Sequence, residues 1–131
     1  MVRRKHPKFL TGDPNNNRKR ISKRQERRTA KKLGGKETIG SGNKGQKGDV
    51  WAGDLEAGQQ IMVECKATEG KQITLKLAWL TKLVKEAFQA GREPALVLTF
   101  NAMDFGAKDW AVIPLDRYQE LLELEAAQKK G

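Results

Sequence analysis

Apolar residues recur along the chain at two different spacings, which together predict a mixture of helices and strands. The clearest helical spacing lies between residues 75 and 90. Its apolar positions fall on one face of a helix: Leu77, Leu80, Leu83, Val84, Ala87 and Phe88. Gly91 is a suitable stop signal, so we predict a long amphipathic helix from Leu75 to Ala90.

A strict alternation over residues 60–67 predicts a β-strand with two different faces. Its two sets of side chains are Ile61, Val63 and Cys65 on one face and Met62, Glu64 and Lys66 on the other. A shorter strand is predicted over Val50–Ala52, and a turn containing Gly53 and Gly58 separates the two. We therefore expect these strands to pair antiparallel, with Asp49 near Glu64 and Lys66.

The remaining patterns complete a mixed α/β domain with the order α-β-β-β-α-β-β-α. They predict a helix over Lys23–Leu33, a short strand over Lys36–Ile39, strands over Pro94–Phe100 and Asp109–Pro114, and a last helix that is capped by Asp116 and runs to about Gln128. Ser22 is a good N-cap for the first helix, and Gln25 could complete a capping box. The apolar run 94–100 is typical of a central strand.

The basic residues are concentrated in the first third of the chain. Residues 1–48 hold 16 Lys and Arg against 3 Asp and Glu, whereas residues 49–131 hold 10 against 13. Such asymmetry, with a net charge of +10, favours a nucleic-acid partner over a solubilising tail or a membrane-surface patch. We interpret residues 1–21 as a flexible basic arm and residues 22–131 as the folded domain.

Several classes of protein are excluded by composition. No run of apolar residues is long enough to span a membrane, and the N-terminus lacks the apolar core of a secretory signal. One cysteine and one histidine cannot form an internal disulfide or a zinc finger. We expect a soluble cytoplasmic protein with no membrane association.

A glycine-rich loop over residues 40–48 precedes the aspartate and contains Lys44 and Lys47. It lacks the Gly-Lys-Ser/Thr ending of a P-loop. Close approach of its backbone to a phosphate is one interpretation, and a flexible hairpin loop is the other.

Two carboxylates and a lysine then form a candidate catalytic group. Phosphodiester hydrolysis needs a divalent cation, and Mg²⁺ prefers oxygen ligands. Asp49, Glu64 and the backbone carbonyl of Cys65 are suitable ligands, and Lys66 could hold the attacking water or the phosphate oxygens. The alternative is that Glu64 and Lys66 are only a surface ion pair.

A single acid, Glu26, lies among the basic residues of the first helix, one turn before Ala30, so we expect it to point inward. The basic residues around it are candidates for DNA contacts: Arg24, Arg27, Arg28 and Lys31. Core or interface packing is the favoured role of Trp51, Trp79 and Trp110, with base stacking as the alternative. Cys65 is expected to be a small buried residue and not a nucleophile.

The order of these segments resembles that of the archaeal-type Holliday junction resolvases (Hjc), which belong to the PD-(D/E)xK nuclease superfamily. The segments are the helix with Glu26, Thr38 to Gly42, Gly48-Asp49-Val50, Glu64-Cys65-Lys66 and Asp109 to Pro114. The resemblance covers about residues 22–123. It departs at Gly48, where the superfamily has proline, and after the Glu64 strand, where only Gln72 and Thr74 could supply a polar side chain before Leu75.

The resemblance implies a restriction-endonuclease-like sheet flanked by helices and a homodimer that nicks opposed strands of a four-way DNA junction. It implies that Asp49, Glu64 and Glu26 bind Mg²⁺, with Mn²⁺ able to substitute, and that Lys66 is the catalytic lysine. Ser41 would lie near the scissile phosphate, and Lys44 and Lys47 would hold the DNA backbone. A phage could also encode such an enzyme.

Three functions remain open from the sequence. The first is a Mg²⁺-dependent junction resolvase, and the second is a related nuclease acting on other branched or duplex DNA. The third is a non-catalytic DNA-binding protein, which would have no reason to place Asp49, Glu64 and Lys66 on adjoining strands.

Overall fold

The computed structural model describes residues 14–38, 48–52 and 61–130. Their elements follow in the order α1 (Pro14–Leu33), β1 (Lys36–Glu37), β2 (Val50–Ala52), β3 (Ile61–Thr68), α2 (Leu77–Ala90), β4 (Glu93–Phe100), β5 (Asp109–Val112) and α3 (Leu115–Lys130). The predicted order of helices and strands is confirmed. Within the described ranges, none of the helices has both the length and the apolar composition needed to span a bilayer.

The strands form one five-stranded sheet in the order β1-β2-β3-β4-β5. As predicted, β2 and β3 pair antiparallel, with Val50 opposite Val63. The β3 and β4 strands pair in parallel, since α2 connects them as a crossover helix. β4, which contains the apolar run 94–100, lies between β3 and β5, so the prediction of a central strand is confirmed.

Two apolar layers cover the two faces of the sheet, and the alternation of β3 decides which residues enter each layer. Val63 and Cys65 pack with Ala30 of α1 on one face. Met62 packs with Leu83 and Ala87 of α2 on the other. The predicted division of the β3 side chains between two faces is thus confirmed, and it leaves Glu64 and Lys66 on the α2 side.

The first helix begins nine residues before the predicted start. It runs from Pro14, inside the segment for which the sequence predicted a flexible arm, so Ser22 is an interior residue and not an N-cap. Proline is well suited to a first helical position, where its backbone N–H is not needed and its fixed φ fits the helix. The capping box predicted for Ser22 and Gln25 is therefore wrong.

The last helix begins at Leu115, so Asp116 lies within its first turn and is not the cap. A carboxylate at this position still interacts favourably with the helix dipole. None of the described residues of α3 is buried, and its large apolar side chains are exposed: Leu115, Tyr118, Leu121, Leu122 and Leu124.

Candidate active site

Asp49 is held in place by hydrogen bonds to the strands on both sides of it. Its backbone N–H donates to the carbonyl of Val63 at 2.7 Å, and its own carbonyl accepts from the N–H of Thr38 at 3.0 Å. Its carboxylate accepts from the backbone N–H of Cys65, with 2.7 Å between Oδ2 and N. The side chain of Asp49 therefore lies beside the segment Glu64-Cys65-Lys66, as the sequence predicted.

The residue before Asp49 is glycine for a structural reason, whereas the superfamily that the sequence resembles has proline there. Gly48 is buried and has a φ of +81°, which proline cannot adopt. A Cβ atom at this position would lie 2.6 Å from the Cγ of Met62, a fully buried side chain. Glycine is thus required for the chain to reach Asp49 along this path, and the Oγ1 of Thr38 donates to the carbonyl of Gly48 at 2.6 Å.

Glu64 and Lys66 project from the same face of β3, with 3.9 Å between Nζ of Lys66 and Oε2 of Glu64. The Glu64 side chain is 23% exposed. Burial, together with the negative charge of Asp49, raises the pKa of Glu64 to about 7. The ammonium of Lys66 also lies over the ring of Trp79, 4.7 Å from its centroid, which helps to hold it in the cleft.

Helix α2 supplies two charged side chains to the same neighbourhood, which the sequence reasoning missed. Lys82 and Glu86 both influence the carboxyl of Glu64, the lysine lowering its pKa and the glutamate raising it. They form a marginal ion pair at 4.0 Å, one helical turn apart. Gln72 and Thr74, the polar residues expected to serve this role, are both exposed. The (i, i+4) spacing of Lys82 and Glu86 is the sequence signal that indicates the charged side chains on α2.

Glu26 faces the site from α1, and the expectation that it points inward agrees with its burial. Its side chain is only 14% exposed, and Nζ of Lys23 lies 3.4 Å from its carboxylate. Burial and the charge of Asp49 raise the pKa of Glu26. The negative charge of Asp49 therefore disfavours ionisation of both Glu26 and Glu64.

Gln25 connects α1 to the strand that carries the lysine, and the sequence reasoning assigned it a different role. The residue is 2% exposed. The two hydrogens of its side-chain amide are shared among three acceptors: the carbonyl of Lys66 at 2.8 Å, the carbonyl of Val97 at 3.2 Å and Oγ1 of Thr99 at 2.8 Å. This buried amide fixes the distance between Glu26 on the helix and Lys66 on β3.

The basic residues of α1 have different surroundings. Arg28 makes a bidentate ion pair with Asp109 of β5, with contacts of 2.9 and 2.7 Å, and this pairing lowers the pKa of Asp109. Arg24, Arg27 and Lys31 are exposed. Their role in binding DNA stays a prediction, and Ser41, Lys44 and Lys47 lie outside the described residues.

The side chain of Cys65 lies in the layer beneath α1, where its thiol is near the hydroxyl of Thr29. Burial and the nearby charge of Asp49 raise the pKa of its thiol to about 12, so at neutral pH it is a protonated packing group. Trp79 packs on the α2 core, and Trp51 stacks with Arg92. Trp110 is half exposed and donates its indole N–H to the carbonyl of Ala107.

The donor set of the cleft suits a hard cation. Within the described ranges, no group of three or more His, Cys, Asp or Glu side chains converges closely enough to bind a metal ion. Asp49 and Glu64 do lie close enough for Asp49 to raise the pKa of Glu64, and a Mg²⁺ site commonly uses one or two carboxylates with water completing the shell. A pair of carboxylates therefore fits Mg²⁺ better than zinc, because zinc sites in proteins mostly use nitrogen and sulfur ligands.

Comparison with known proteins finds a likeness of fold at low sequence identity. No family model matches the chain, and no curated protein matches its sequence. Among solved structures, the fold of this chain is similar to the fold of Archaeoglobus fulgidus Hjc, a Holliday junction resolvase from an archaeal hyperthermophile. The TM-score is 0.50 at 19% identity, over 69% of this chain and 85% of that one. The predicted fold class, a mixed sheet flanked by helices as in this nuclease, is confirmed.

Proposed function

We propose that the protein is a Mg²⁺-dependent DNA endonuclease that resolves four-way junctions by hydrolysing phosphodiester bonds in paired, symmetric nicks. The observation that carries the proposal is the cleft in which Asp49 from the start of β2 meets Glu64 and Lys66 of β3. The fold is similar to that of a Holliday junction resolvase, and this likeness supports an endonuclease activity on branched DNA.

The carboxylates would hold the cation, with Asp49 and Glu64 as ligands and Glu26 beside them. The cation would neutralise charge on the scissile phosphate and lower the pKa of an attacking water. Lys66 supplies a fixed positive charge beside these groups, where its ammonium can donate to a phosphate oxygen. Trp79 and the carboxylate of Glu64 restrict the positions that this ammonium can reach.

The exposed basic side chains of α1 would hold the duplex arms. Arg24, Arg27 and Lys31 have no ion-pair partner among the described residues, and contacts from such side chains to phosphates are independent of sequence. Arg28 is committed to Asp109, so we assign it mainly to the fold. A structure-selective enzyme needs this kind of recognition, because it must bind junctions of any sequence.

We also propose that two copies act together, since paired nicks require two active sites. Exposed apolar side chains on α2 support a self-association surface: Leu77, Val84 and Phe88 fall on one side of the helix, and Phe88 is 84% exposed. If the wild type is a dimer, the Phe88→Glu variant should be a monomer, as judged from the molar mass measured by light scattering. Phe105→Glu, at a similarly exposed position between β4 and β5, should leave the mass unchanged.

A cleavage assay tests the proposed activity directly. The protein is incubated with a labelled four-way junction, or with linear duplex of the same sequence, in Mg²⁺ or in EDTA. Symmetric nicking of the junction alone supports the proposal, whereas equal cutting of linear duplex identifies a nuclease of another specificity. Binding without cutting in Mg²⁺ and in Mn²⁺ would leave only a DNA-binding protein.

Two substitutions identify the residues responsible. Lys66→Ala and Asp49→Ala should abolish cleavage while leaving junction binding largely intact, since most of the affinity comes from phosphate contacts elsewhere. Lys85→Ala removes an exposed lysine on α2 and should cleave normally. A wild-type rate in either site variant removes that residue from the proposed mechanism.

A further inference from the structure

A basic cleft separate from the carboxylate site opens between α1 and the carboxyl ends of β3 and β4. It has a volume of about 490 Å³. Its lining includes four cationic side chains, Arg20, Arg24 and Arg28 of α1 and Lys108 before β5, against one carboxylate, Glu69. A cleft with this charge attracts anions and excludes most cationic or apolar ligands.

The arginines follow one face of α1 because they are spaced four residues apart. Successive members of this row are separated by about 6 Å along the helix axis. That separation is comparable with the step between adjacent phosphates on one nucleic-acid strand. The row is therefore better matched to a phosphodiester chain than to a single small anion.

The walls of the cleft are fixed by hydrogen bonds, so its cations are held in a set arrangement. Arg28 is locked on Asp109, whose carboxylate also accepts from the hydroxyl of Thr99. Thr99 in turn accepts from the buried amide of Gln25. Neither Arg24 nor Lys108 has an ion-pair partner among the described residues, so these two cations, on opposite sides of the cleft, are available to a ligand.

Glu69 is the one group that opposes an anion here. Asn101 donates its side-chain amide to this carboxylate, which keeps the carboxylate at the edge where β3 and β4 end. Its charge reduces the attraction of the cleft but does not cancel it, because Arg24 and Lys108 remain. Glu69 also gives a test of opposite sign, since removing its charge should strengthen anion binding.

We propose that this cleft binds the phosphodiester backbone of a nucleic-acid strand, through Arg24 and Lys108, at a place distinct from the carboxylate site. Gln25, which lines the cleft, also donates to the backbone carbonyl of Lys66, so the cleft is connected to the strand that carries the catalytic candidates. The inference rests on the proposed function and adds to it a second strand contact, which suits a branched substrate better than a single duplex segment.

Equilibrium binding to a four-way junction in EDTA, over a range of salt concentrations, tests the cleft without any cleavage. Each phosphate contact that is lost should reduce the slope of log K against log salt by about 0.9, so Arg24→Met with Lys108→Met should reduce it by about 1.8. Lys85→Met, on the opposite layer, is the matched control for loss of charge and should leave the slope unchanged.

Glu69→Gln provides the second arm, because it keeps an acceptor for Asn101 while removing the charge. It should bind the junction more tightly than the wild type, and a merely structural role of the cleft would not give this gain. An unchanged slope in the double variant, or weaker binding by Glu69→Gln with an unchanged melting temperature, overturns the proposal. Cleavage in Mg²⁺ is scored separately, so loss of the cleft and loss of the nuclease activity are distinguished.

Discussion

The carboxyl of Glu64 makes a specific prediction about stability and pH. Its pKa is about 7 in the folded protein and 4.5 as an unperturbed group. Between pH 4.5 and pH 7, the folded state therefore retains a proton on Glu64 that the unfolded state has released. By linkage, the free energy of unfolding falls as the pH rises from 4.5 to 7 and is constant above that window with respect to this group.

The size of the effect follows from the shift. A difference of about 2.5 pKa units corresponds to about 3 kcal/mol of destabilisation above pH 7 in the absence of a divalent cation. Glu64→Gln is neutral in both states, so it should be more stable than the wild type by up to this amount at pH 8 and nearly equal at pH 4.5. Loss of the contact to Lys66 subtracts less than about 1 kcal/mol.

Urea unfolding in EDTA at a series of pH values measures this difference. Glu120→Gln, an exposed position on α3, is the control and should leave the pH dependence unchanged. Glu26 contributes an effect of the same sign because its pKa is also raised, so the double variant should show a weaker pH dependence than Glu64→Gln alone. Asp109 has a lowered pKa, so its ionised carboxylate stabilises the folded state. That stabilisation is lost only as the pH falls below 3.8, the ordinary pKa of the group, which is outside the window from pH 4.5 to 7.

Addition of Mg²⁺ at pH 8 then tests the cation site independently of cleavage. A cation bound by Asp49 and Glu64 would stabilise the folded state and relieve the repulsion that raises the pKa of Glu64. The wild type should gain stability with Mg²⁺, and Glu64→Gln should gain much less. An identical pH dependence in the wild type and Glu64→Gln would refute the assignment of the perturbed carboxyl, and equal stabilisation by Mg²⁺ would refute its role as a ligand.

Two substitutions in buried positions have matched controls on the same chain. Gln25→Met should lower the free energy of unfolding by about 2–4 kcal/mol in urea, because three acceptors lose their amide donor, while Arg27→Met on the exposed side of α1 changes it by less than about 0.5 kcal/mol. Gly48→Ala should cost more than Gly34→Ala by thermal unfolding, because both have positive φ but only Gly48 has a neighbour, Met62, in the way.

The sheet and its two faces could be predicted because local patterns dictate them. Alternation along 61–66 specifies which side chains enter each layer, whatever the rest of the chain does. The approach of Asp49 to Glu64 followed from the short antiparallel connection between β2 and β3. In contrast, the predicted start of α1 was wrong because residues 1–21 were assigned to a flexible arm, although Pro14 within that segment is favourable at a first helical position.

Long-range contacts account for what the sequence reasoning missed. Gln25 was given a capping role because Ser22 stands three residues before it, and nothing local indicates that its amide reaches carbonyls 41 and 72 residues away. Lys82 and Glu86 were missed for a related reason, since only the parallel crossover places α2 over Glu64. A buried polar side chain with three acceptors restricts the helix and the strand to one relative position. The electrostatics of Glu64 thus depend on the docking of both helices, so variants at Gln25 should alter the pH dependence of stability as well as its magnitude.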